Sequence, residues 1–128
     1  MAKLSGKRSA KVGLPPGTAV YIGESAAETR LSVFDFDEKD VREKTDCPLG
    51  ECLPFKDAET VTWINVDGLR DIAFLEKVGE MFGLHPLVIE DIVSTDQRPK
   101  MESYDDYLFM VVKMLRYDAE RNEVDVEQ

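Results

Sequence analysis

The stretch from Leu69 to Val93 constrains the fold of this chain more than any other. Apolar residues fall at Leu69, Ile72, Ala73, Val78 and Phe82, with Phe74, Leu75 and Met81 widening the stripe. Arg70, Asp71, Glu76, Lys77 and Glu80 fill the opposite side. This is the spacing of a helix with one buried face. Asp67 is placed to cap it, and Gly83 stands where a C′ glycine ends a helix. A second helix starts at once, with Pro86 at its first position behind His85. It runs from Leu87 to Val93 with Val88, Ile89, Ile92 and Val93 inward, which leaves Glu90 and Asp91 on the outer side.

Strand signals surround this pair of helices. Gly13-Leu14-Pro15-Pro16-Gly17 is a turn, and the β-branched and aromatic run Thr18–Ile22 after it predicts a strand. Leu31–Phe36 predicts a second, with Leu31, Val33 and Asp35 on one face and Ser32, Phe34 and Phe36 on the other. Asp37–Lys44 reads as a short helix capped by Asp37, and Thr45–Glu59, with two prolines and Gly50, as a loop. Thr60–Val66 is a clear strand closed by Asp67-Gly68. Ser94–Lys100 is a polar loop, with Pro99 blocking helix continuation. Tyr107–Val112 is apolar on both alternating faces, as expected of a central strand covered by helices on both sides. Lys113–Tyr117 extends it, Asp118–Glu123 is a turn, and Val124-Asp125-Val126 opens a further strand, so the chain closes on a hairpin. The expected class is α/β, an α/β/α sandwich with a mixed parallel and antiparallel sheet between helix layers, cut at its C-terminal strand.

A chain of 128 residues suits one domain. Residues 1–12 read as a basic disordered arm and 13–128 as the ordered part. Lys3, Lys7, Arg8 and Lys11 are the only charges in the first eleven residues; the other 117 hold 12 basic and 26 acidic side chains, a charge of −14. So acidic a body repels phosphate backbones, which argues against nucleic acid and for divalent cations or basic surfaces, or for a merely solubilising surface. No apolar run approaches the ~20 residues of a membrane span, and the N-terminus lacks the apolar core of a secretory signal. Cys47 and Cys52 flank Pro48-Leu49-Gly50-Glu51 in the expected loop and read as two reduced thiols. His85 is the only histidine, so a zinc site would need carboxylates or a second chain. No phosphate-binding loop, dinucleotide turn, nucleophile elbow or nucleophile–base pair is visible, so catalysis is not expected.

Glu90-Asp91 is the pair with chemical potential. Neighbouring helical residues point about 100° apart, so the two cannot close around one ion. They can offer one or two hard oxygens to a magnesium ion that keeps its waters or also touches another subunit. A solvated acidic face explains the same residues, and Asp105, Asp106, Asp35 and Asp37 share that ambiguity.

The run Gly79–Met114, GEMFGLHPLVIEDIVSTDQRPKMESYDDYLFMVVKM, resembles the cytoplasmic N-terminal domain of the CorA family of magnesium and cobalt transporters. Its most specific part is His85-Pro86-Leu87 to Glu90-Asp91 followed by Gln97-Arg98-Pro99-Lys100. Gly13–Thr18 and Thr62–Val66 also look like that family's early segments, in the same order, while the resemblance is weakest over Glu24–Glu59, where the cysteine loop carries no pattern of the family. The resemblance implies a homopentamer with a funnel-shaped cytoplasmic domain at the inner face of the cell membrane. A stalk helix, two membrane helices and a Gly-Met-Asn pore motif would follow beyond Gln128, so this chain is expected to be a soluble piece of a longer protein. It further implies that Mg2+, or Co2+, bound between neighbouring domains keeps the pore closed, with Asp91 and Glu90 as metal ligands and an acidic partner from the adjacent subunit's stalk. A zinc transporter of similar architecture and a stand-alone soluble interaction domain are the competing readings.

Overall fold

Strand β1 (Arg30–Phe36) organises the first half of the chain in a computed structural model that describes residues 13–21, 27–95 and 97–127. The basic arm and Ile22, the last residue of the first expected strand, lie outside the described residues. The alternation in β1 sorts as its sequence predicts. Leu31, Val33 and Asp35 are buried, and Ser32, Phe34 and Phe36 face the other way. Asp35 is tolerated inside because the Thr60 and Thr62 hydroxyls donate to one of its oxygens at 2.6 and 2.8 Å.

β1 is the centre of a three-stranded antiparallel sheet, flanked by β2 (Val41–Lys44) and β3 (Val61–Asp67). β2 corrects the expected helix over Asp37–Lys44. The Asp37 carboxylate does accept backbone N–H groups, from Lys39 at 2.7 Å and Asp40 at 2.9 Å, but the Asp37 N–H also closes back onto the Asp40 carbonyl at 3.1 Å. The cap therefore ends in a tight turn. The chain returns along β1, with Glu43 opposite Phe34 and Val41 opposite Phe36. The expected loop over Thr45–Glu59 contains a 3-10 helix, Leu49–Phe55, which seats Cys52 beside Leu31 and Val33 with no exposure.

Gly68 turns the chain out of β3 with φ +79°, and a Cβ there would stand 2.7 Å from the Glu28 carbonyl oxygen. Helix α1 (Ile72–Phe82) then begins at Asp71, not Asp67. The Asp71 carboxylate accepts from the Phe74 N–H at 2.9 Å, whereas Asp67 is held by Asn65. Gly83 ends α1 in the left-handed conformation, as its position predicts. Helix α2 (Pro86–Ile92) starts on the proline and is capped by the His85 ring, whose Nδ1 accepts from the Leu87 N–H at 3.2 Å. The two helices meet at Gly79, where an added Cβ would lie 2.8 Å from the Ile89 side chain.

The rest of the chain is two antiparallel pairs, β4 (Lys100–Ser103) with β5 (Leu108–Val111) and β6 (Met114–Asp118) with β7 (Glu123–Glu127). The closing hairpin matches expectation; β4 starts at Lys100, the end of the expected polar loop, and continues through Met101–Ser103, where the sequence predicts no element. Tyr107–Val112 is not a covered central strand. Among the described residues β5 has one partner, and Leu108 and Met110 stay about 60% exposed. Thr18–Tyr21 forms no strand; Thr18 is folded back on the Pro15 carbonyl. Helices and strands are both present, as expected, but all pairing among the described residues is antiparallel, in three separate sheets. One mixed sheet between helix layers is not formed there.

Among the described residues, two clusters make up most of the core. Leu31, Val33 and Cys52 form one, and Leu75, Ile89 and Val93 the other, with Val66 and Phe74 packed against both. Each such aliphatic side chain contributes on the order of 1.5–3 kcal/mol by leaving water, so α1 and α2 are anchored by the side chains that made their periodicity legible.

Candidate divalent-cation site on the second helix

Burial of Val88, Ile89 and Val93 turns Glu90 and Asp91 away from the core, but the outer side of α2 is not bare. Glu90 is covered by the Gly13–Thr18 turn, and its Oε2 accepts the Gly17 N–H at 2.9 Å. Asp91 faces the other way. Lys100, the first residue of β4, donates to its Oδ2 at 2.6 Å, and the Gln97 side-chain amide donates to its Oδ1 at 3.0 Å and its backbone carbonyl at 2.8 Å. Adjacent helical positions diverge, and each carboxylate has been taken up by a different segment.

The Lys100 ammonium continues the network. It also donates to Glu102 at 2.9 Å and lies 5.4 Å from the Phe109 ring centre. Its pKa is raised above the ordinary lysine value, first by Asp91 and then by Glu102. The Tyr104 hydroxyl donates to Glu102 at 3.3 Å, and Tyr104 stacks on Tyr107 at 4.6 Å and beside His85 at 6.1 Å. The circuit closes where the Tyr107 hydroxyl oxygen accepts the His85 N–H at 2.9 Å. His85 thus has the structural role its place before Pro86 suggests. The side chains of Lys100 and Asp91 are 28% and 29% exposed, so the ion pair is only partly screened, and a pair of this kind is worth about 1 kcal/mol.

Such a site can do limited chemistry alone. The described residues bring no three His, Cys, Asp or Glu side chains together as a metal cage. Asp91 can give hard oxygens to a hydrated cation only by sharing or releasing Lys100, and Glu90 only at the edge of the Gly17 contact. Asp105 and Asp106 are exposed in the β4–β5 turn. Lys100, Gln97 and Gly17 are the residues that sequence reasoning missed as partners. Gln97-Arg98-Pro99-Lys100 had marked the segment, but no periodicity links a lysine beyond a proline to a helical carboxylate nine positions earlier.

Residues 58–127, more than half of the chain, match the CorA-like Mg2+ transporter protein family. The chain belongs to this family. It is 43% identical over 120 residues to the "Cobalt/magnesium transport protein CorA" of Thermotoga maritima, an alignment covering 94% of this chain and 34% of that protein. It is 37% identical over 67 residues to "Putative metal ion transporter YfjQ" of Bacillus subtilis, covering 52% of this chain and 21% of that protein. The CorA-like chain therefore spans about a third of the length of the first of these relatives and about a fifth of the second. No helix among its described residues is long and apolar enough to cross a membrane.

Proposed function

We propose that this chain is part of the extramembrane, non-enzymatic domain of a magnesium and cobalt transporter, and that α2 carries half of a regulatory divalent-cation site. The observation that carries the proposal is the family match over residues 58–127, which contains Glu90 and Asp91. In the whole protein the strands described here would enter an α/β/α sandwich at the inner face of the cell membrane. Five such domains would then surround a pore supplied by the rest of the polypeptide, with Mg2+ or Co2+ as the transported substrate.

The α2 network supports a sensor rather than a tight store. A closed cage of carboxylates holds its ion at all cellular levels, whereas a hydrated Mg2+ competing with the Lys100 ammonium for Asp91 binds weakly. Between acidic neighbours, a shared cation relieves repulsion and favours the arrangement that binds it, by its differential affinity alone. In the full-length protein in vesicles, Mg2+ should protect against limited proteolysis, and Asp91→Ala should weaken that protection. Lys100→Met removes the competing cation and should shift protection to several-fold lower Mg2+. Protection untouched by Asp91→Ala overturns the regulatory role.

A further inference from the structure

Cys47 and Cys52 take no part in the reading above, yet they are not placed as two unrelated core thiols. Cys52 is fully buried on the 3-10 helix, in one cluster with Leu31 and Val33. Cys47 is half-buried against the same cluster and fixed to β1, where the Leu31 carbonyl accepts its N–H at 3.1 Å and its thiol at 3.7 Å. The Cys47 sulfur is also near enough to Cys52 to help raise its pKa. Access is one-sided. An open cavity of about 370 Å³, bordered by Glu28, Arg30, Asp46 and Phe74, reaches Cys47 but is not lined by Cys52.

We propose that Cys47 and Cys52 form a two-electron redox site, oxidised to an intrachain disulfide by a small disulfide of the glutathione class. Only Cys47 can meet the reagent, so its thiolate attacks one sulfur of the small disulfide. That breaks the reagent's S–S bond, releases one thiolate and leaves a mixed disulfide on Cys47. Cys52 then gives up its proton and attacks the Cys47 sulfur, expelling the second small thiolate. In sum, two protein S–H bonds are exchanged for one S–S bond, and the small disulfide is reduced to two thiols.

The asymmetry sets the kinetics. Burial, and then the neighbouring Cys47 sulfur, push the Cys52 thiol up to about 11, which slows its attack. Its place in the cluster against which Cys47 packs offsets this. In the reverse direction an external thiol must attack Cys47 and expel Cys52, a poor leaving group, or reach the buried Cys52 sulfur. The bond, once made, is released slowly. It ties the 3-10 helix to the loop hydrogen-bonded to β1, on the cluster where Phe74, Met81 and Phe82 of α1 pack.

The test uses the reduced 128-residue chain and oxidised glutathione, with an acid quench, alkylation under denaturing conditions and intact mass. The expected product is a monomer lighter by two hydrogen atoms, with neither thiol alkylated. In Cys52→Ala the glutathione adduct on Cys47 should accumulate, at least about tenfold above its transient level in the wild type. A wild-type chain that ends as a stable glutathione adduct, as a cross-linked dimer or with both thiols still alkylated overturns the proposal. If Cys52→Ala does not fold, the wild-type mass decides alone.

Discussion

In the central strand of the three-stranded sheet, Leu31 and Val33 are 2% and 1% exposed. In the closing hairpin, Leu115 and Val126 stand directly across from each other at 68% and 57%. Both regions are antiparallel and rich in β-branched, aromatic and long aliphatic residues. What separates them is a covering layer. The 3-10 helix and α1 lie on one face of β1, whereas the hairpin is held by its main-chain ladder and by Arg121, which donates to Asp118 at 2.7 Å and to Asp125 at 2.8 Å. A two-stranded ribbon with no packed face is marginal in water, so stability in this chain is concentrated around β1, α1 and α2.

The sharpest way to break that contrast is to truncate one leucine in each region. Leu75→Ala, in the α1–α2 core, should cost about 2–5 kcal/mol, while Leu115→Ala should stay within about 0.5 kcal/mol. Urea unfolding of both variants would show it, and equal losses would mean the hairpin is packed after all. Next in size is Gly68→Ala at the exit of β3. A left-handed backbone and a carbonyl 2.7 Å from the new carbon should cost about 1–3 kcal/mol, read by the same measurement.

The smallest effect separates the regions by pH. Asp118 has its pKa lowered below 3.8 by the Arg121 side chain first and then by the Arg121 backbone N–H. Its contribution is present above 3.8 and is lost as pH falls through the lower folded value, so Asp118→Asn should flatten the acid limb of the stability curve. The Cys52 pKa is raised from 9.0 to about 11. Its contribution is complete below 9.0 and is lost as pH climbs toward 11, so Cys52→Ala should flatten the alkaline limb. Acid should weaken the hairpin and alkali the β1 cluster; a reversed pattern in urea unfolding across pH would contradict the assignment.

The elements that could be read from the chain itself are those whose evidence is local. The apolar stripe of α1 with Gly83, Pro86 behind His85, and the alternation in β1 all carry their signal within a few residues. The failures are places where a local signal has two outcomes. A carboxylate such as Asp37 satisfies the same N–H groups in a helix cap and in a turn, and only the pairing of Val41–Lys44 with β1 decides between them. An all-apolar run such as Leu108–Val111 fits a covered strand, but the number of partners it finds is a matter of the surrounding chain. At the candidate site, Glu90 and Asp91 were legible as a pair, while their separation onto Gly17 and Lys100 depends on how distant segments cross α2.

The contact between the Gly17 N–H and the Glu90 carboxylate joins positions 73 residues apart. It therefore has an order in time as well as a place. During synthesis the Gly13–Thr18 turn leaves the ribosome long before α2 exists, and its docking partner is one of the last parts of the core to be made. Until then the opening segment can only wait, and its attachment closes the longest loop named here, after the β1–β3 ladder has had every chance to form. A single carboxylate on α2 thus reports that the strands and helix upstream of it are already in position.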